Sequence, residues 1–163
     1  RRNEDILTLQ VRLVGSRVPE PVLKVGQKIP ATLLTPYDPK QPMPMVGGGK
    51  GVVYFFWATW CKPCKAAAPE LEKFAQAHDL SVISITSESR ADVAQFLKTR
   101  SWPFLIGLDA TRRVSRKFRA SSLPTFVVIN PLGVYRARGV GYSQKLPIDS
   151  ADLVPAGTTP PRK

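Results

Sequence analysis

VVYFFWATWCKPCKAAAPELEKF, residues 52–74, is the stretch whose reading decides the fold. Its first five residues, Val52 to Phe56, are β-branched or aromatic with no polar alternation. Such a run reads as a strand buried on both faces, at the centre of a sheet. A turn follows, and then the spacing predicts a helix from Pro63 to about Ala77. Ala67, Ala68, Leu71, Phe74 and Ala75 form its apolar stripe. Pro63 falls at an early helical position, where its missing N–H is not needed. Pro69 lies inside the helix and is expected to kink it.

The chain's two cysteines, Cys61 and Cys64, stand at this strand–turn–helix junction. A helix N-terminus presents free N–H groups and about half a positive charge, which stabilises a thiolate. Cys61, at or near the N-cap, is read as the exposed, reactive member. Cys64, one turn in, is read as mostly covered. Lys62 adds a nearby cation. The blander readings are a structural pair or half a zinc site. A zinc site needs two more ligands, and the single histidine, His78, lies about 20 Å away by helix rise. A CxxC pair in this setting favours redox chemistry.

Working outward, the 163 residues fit one domain with a real core. Hydrophobic residues make up 43% and mean hydropathy is −0.12, a globular composition. Ser81–Ile85 reads as a second buried strand, and Ala91–Thr99 as a helix with Ser89 as N-cap. Phe104–Leu108 reads as a short strand and Ala110–Phe118 as a basic helix. Thr125–Ile129 and Val134–Val140 read as a hairpin across Asn130–Gly133. The order predicts an α/β layered domain with a mixed sheet. Ala31–Leu34 reads as a short strand, residues 37–51 as loop, and residues 1–24 as an extension of strand or helix character. From Ser143 the chain carries four prolines and is expected to be a mobile tail, with at most one helical turn near Ser150–Leu153.

Lys and Arg number 24 against 12 acids, a net charge of +12. The one dense group is Arg112, Arg113, Arg116, Lys117 and Arg119, several of them on one helix face. It is either a solvated face or a docking patch for an acidic partner or an anionic membrane surface. No nucleic-acid motif accompanies it, so nucleic acid is not an expected partner. The longest apolar run, Val52–Ala58, is far short of the ~20 residues of a membrane span. The chain opens on Arg1 rather than Met, which reads as a piece of something longer with an export signal or anchor upstream.

Residues 55–74 resemble the active-site segment of the thioredoxin superfamily, specifically its TlpA/ResA-like membrane-linked group. SSLPTFVVINPLGVYRARGVGY, residues 121–142, is similar to the family's cis-proline strand and closing hairpin. KVGQKIPATLLT (24–35) resembles its N-terminal segment, and residues 81–110 resemble the group's inserted helix and strand. The resemblance implies a thioredoxin fold over residues 25–142, flanked by the 1–24 extension and the 143–163 tail. It also implies a cis bond at Leu123–Pro124 and thiol–disulfide exchange in which Cys61 attacks a substrate disulfide and Cys64 resolves it, with no cofactor or metal. Trp60, Lys62, Pro63, Leu123, Pro124 and Thr125 would line the site, with the Leu123 backbone holding the substrate. The group's substrates are protein or peptide disulfides outside the cytoplasm, and its electrons come from a membrane thiol donor.

Three places depart from the pattern. Phe55 and Ala67 stand where relatives carry the acid that manages the second cysteine's proton. Glu70 and Glu72 point away by helix spacing, leaving water, the substrate or an acid of the Glu88 region for that role. The tail replaces the usual final helix covering the sheet. Alternatives on the same residues are a disulfide oxidase or isomerase, or a Cu(I)-binding chaperone module. A thiol peroxidase is disfavoured, since Tyr54 and Ala58 occupy the places of its proline and hydroxyl residue.

Overall fold

The computed structural model describes residues 21–30 and 34–153. Most of the expected 1–24 extension, the Ala31–Leu33 part of the expected first strand and the end of the tail lie outside the described residues. Six strands form one mixed sheet: β1 (Thr35–Pro36), β2 (Gly51–Phe56), β3 (Leu80–Thr86), β4 (Leu105–Leu108), β5 (Thr125–Ile129) and β6 (Tyr135–Val140), ordered β1-β4-β3-β2-β5-β6. β2, β3 and β4 run parallel, and the other neighbours pair antiparallel. Three helices accompany them: α1 (Lys62–Ala77), α2 (Arg90–Leu97) and α3 (Arg113–Lys117). Together these elements make the thioredoxin fold. Among the described residues, no helix is long and apolar enough to cross a membrane.

β2 is buried at every position, as its unbroken apolar run requires. Its alternate residues feed two cores. Val53 and Phe55 join Phe126, Val128 and the buried stripe of α1 on one face. Val52, Tyr54 and Phe56 join Ile83, Ile85, Val127, Val114 of α3 and Phe118 just after it on the other. On the first face Phe55 stacks on Phe126 at 5.1 Å and lies 6.0 Å from Trp102, so this residue is the hub of an aromatic cluster. α1 contains Pro69 without interruption of its assigned span.

Two elements start later than expected, each for a local reason. α3 begins at Arg113 rather than Ala110. The buried Asp109 carboxylate accepts the N–H groups of Val114 and Ser115, and Arg112 at the N-cap adopts a left-handed conformation (φ 56°). β6 begins at Tyr135 because the Asn130 side chain accepts the N–H groups of Leu132 and Val134, keeping both in the turn. At α2, Ser89 and Asp92 form a reciprocal capping box.

The segment after Ser143 corrects the expectation of a free tail, as far as Leu153. Leu146 and Ile148 are buried with the Phe55 core, and Ser150–Leu153 forms a 3₁₀ turn against β5 and β6. This segment covers the sheet where a final helix was missed. The chain follows the sheet closely there: a Cβ at Gly139 would lie 2.4 Å from the Pro147 carbonyl oxygen and 2.7 Å from its ring. Gly139→Ala is therefore expected to lift the segment and cost about 1–3 kcal/mol of overpacking strain. Urea unfolding and limited proteolysis within 143–153 would measure it.

Candidate active site

Both cysteines sit where β2 turns into α1. Cys61 is the N-cap of α1, in extended conformation, and its sulfur accepts the Cys64 N–H at 3.3 Å. The two cysteines are joined by a disulfide with their Cα atoms 5.3 Å apart. Cys61 is covered more than the sequence suggested: it is 3% exposed and Cys64 0%. Both cysteines belong to the buried cluster that includes Ala67 and Leu71. Pro63 occupies the first turn of α1, exposed like Lys62.

The sheet register brings the second block of sequence to this turn. Phe56 at the end of β2 pairs with Thr125 at the start of β5, so the residues just beyond each strand lie side by side. Leu123–Pro124 is a cis peptide bond, as the family resemblance implied. The Pro124 carbonyl accepts the Gly141 N–H, and the Thr125 hydroxyl donates to the Ser122 carbonyl at 2.6 Å. Thr125 is buried and shapes the turn from beneath. Leu123 is half-buried, and among the described residues its backbone N–H and C=O have no partner.

The tryptophans divide as their neighbours dictate. Trp57 is buried and stacks on Trp102 with ring centroids 4.0 Å apart. Trp60 is 72% exposed, the most open aromatic beside the cysteines. His78 caps the far end of α1 against Phe74 and has no part in the site.

Acid chemistry is scarce around Cys64. Phe55 and Ala67, in the places expected of an acid, are both fully buried. The one buried carboxylate among the described residues is Asp109, which caps α3. The pKa of Tyr142 is held above its ordinary value, by desolvation first and then by the nearby Glu70 carboxylate.

Glu88 braces the turn in a way the sequence did not reveal. Its carboxylate accepts the Thr59 N–H and the Thr59 hydroxyl, both at 2.7 Å, and the Thr86 hydroxyl at 3.1 Å. Lys65 of α1 donates to the Thr59 carbonyl at 3.0 Å. The turn before Cys61 is thus held on three sides, and Glu88 contacts threonines rather than a cysteine. Only the pairing of positions 29 residues apart signals this brace, and that pairing exists in the fold alone. Glu88→Gln removes a charged acceptor and is expected to cost about 1.5–3 kcal/mol. Urea unfolding would read that loss, and hydrogen exchange would show a less protected Thr59 amide.

A family model described as the AhpC/TSA family matches residues 25–138. The thiol-disulfide oxidoreductase ResA of Bacillus subtilis is 36% identical over 89 residues, which span 52% of this chain and 50% of that protein. The sporulation thiol-disulfide oxidoreductase A of the same organism is 24% identical over 147 residues, 83% of this chain and 89% of that one. A crystal structure reported under the name thiol:disulfide interchange protein DsbE, from Chlorobium tepidum, superposes with a TM-score of 0.63 at 23% identity. It covers 75% of this chain and 89% of that one, and shows the shared fold. Tyr54 and Ala58, in the places of a thiol peroxidase's proline and hydroxyl residue, are both buried. With the model matched over most of its length, the chain belongs to the AhpC/TSA family of thioredoxin-fold proteins and stands with its TlpA/ResA-like members.

Proposed function

We propose that this protein is a thiol–disulfide oxidoreductase that reduces disulfides of proteins outside the cytoplasm. The observation that carries the reading is the disulfide between Cys61 at the N-cap of α1 and Cys64 one turn further. The neighbouring cis Leu123–Pro124 turn, with its unpartnered Leu123 backbone, supports it as a place for an extended substrate strand.

In the reduced protein the helix terminus and the Cys64 N–H favour a thiolate on Cys61. That thiolate attacks one sulfur of the substrate disulfide. The substrate S–S bond breaks, a Cys61–substrate mixed disulfide forms, and the departing sulfur leaves as a thiol after taking a proton. Cys64 then loses its proton and attacks the Cys61 sulfur, releasing the second substrate thiol and closing Cys61–Cys64. Two electrons pass to the substrate. A membrane-held dithiol donor returns them by the same exchange in reverse. Trp60, Lys62 and Pro63 border the reacting sulfur, Leu123 aligns the substrate backbone, and Pro124 and Thr125 hold that turn in shape. The basic residues of α3 serve docking, toward an acidic partner rather than in the chemistry.

Wild-type protein is expected to reduce insulin disulfides, and Cys61→Ser to be inactive; equal rates would overturn the reading. Cys64→Ser is expected to accumulate mixed disulfides through Cys61, seen as adducts on non-reducing gels. Equilibration with glutathione fixes the direction: a potential near about −270 mV marks a reductant and one near about −120 mV an oxidant.

A further inference from the structure

Beside the redox turn lies a groove of about 790 Å³. It meets the turn through Trp60 and Leu123, and Arg112, Arg116 and Arg119 line it. Arg112 and Arg116 are one helical turn apart, linked by the Arg116 N–H to the Arg112 carbonyl. Arg112 and Arg119 both have left-handed backbones, with φ of 56° and 51°. That conformation is unfavourable for a residue with a side chain, and local hydrogen bonds hold it at both ends of α3. The Asp109 network fixes the first and the Arg138 guanidinium, donating to the Arg119 carbonyl at 2.7 Å, fixes the second.

Positive charge is in excess: three arginines line the groove against one carboxylate, Glu88. Glu88 also lines the groove, but both its oxygens accept from Thr59. Asp109 is buried and spent on the α3 N–H groups and the Ser115 hydroxyl. Among the described residues no ion pair involves Arg112, Arg116 or Arg119.

We infer that this groove binds an acidic segment of the substrate protein, one whose carboxylates flank the disulfide to be reduced. The inference rests on the oxidoreductase reading of Cys61 and adds to it a substrate class. A strand aligned on Leu123 continues past Trp60 into the groove, where guanidinium groups meet carboxylates in paired hydrogen bonds. A concave site beside the cysteines, with an exposed indole at its rim, suits a peptide chain better than a flat lipid surface.

The first experiment needs no redox chemistry. Two peptides of one sequence, with serines in place of cysteines and either Glu or Lys at the flanking positions, are titrated against the oxidised protein with tryptophan fluorescence as readout. The Glu peptide is expected to bind at least about tenfold more tightly at low salt, and the preference to collapse in ~0.5 M NaCl. In Arg112→Gln/Arg116→Gln/Arg119→Gln the ratio is expected to fall toward one. Equal binding of the two peptides by wild type, or a ratio unchanged in the variant, overturns the inference. Should the variant fail to fold, the wild-type peptide ratio and its salt response decide alone. Anionic vesicles that bind the wild type in an arginine-dependent manner, without peptide discrimination, would assign the patch to a membrane and also overturn it. The second experiment compares kcat/KM for the disulfide forms of the same peptides, expected to differ in the same sense. Wild-type reduction of neutral bis(2-hydroxyethyl) disulfide is read separately: its failure strikes the reading of Cys61, whereas loss of peptide discrimination strikes the groove.

Discussion

The antiparallel register of β2 and β5, with Phe56 opposite Thr125, is the constraint on which the rest depends. Neither the CxxC turn nor the cis-proline turn is a site by itself. The register sets them side by side because both follow from the ends of paired strands, and the pairing is fixed by burial. A slip of one residue would exchange the two faces of β5 and put Phe126 and Val128 among the partners of Tyr54 and Phe56. The two aromatic cores thus specify the geometry of the redox turn at a distance.

Much of this was legible in sequence because it was local. Val52–Phe56 could hardly be anything but a central strand, and Ser89 announced its helix. The cysteines at a strand–helix junction named their chemistry. The cis bond at Pro124 came from resemblance and not from any spacing. What escaped reading depended on distant packing. Leu146 and Ile148 are isolated apolar residues among prolines, and nothing local says that they close the sheet. The burial of Cys61 and the bracing of Thr59 by Glu88 likewise join segments that only the fold brings together.

The departures from the family pattern are coherent with one another. Phe55 replaces an acid with an aromatic hub, stacked against Phe126 and close to Trp102, and Ala67 keeps the adjoining helix face small. An ionised group there would be expensive in so dry a cluster. The charges around α3 lie instead at the rim, where Arg112, Arg113, Arg116 and Arg119 are exposed to water.

Glu88 has a neighbour that gives its position further meaning. The next residue, Ser89, caps α2, so the brace of the redox turn and the origin of a helix are consecutive links of the chain. They share one mechanical mounting. α2 in turn sets Val93 and Phe96 into the aromatic core, so the residue that anchors the redox turn is joined in sequence to an element packed on the same core as Cys64.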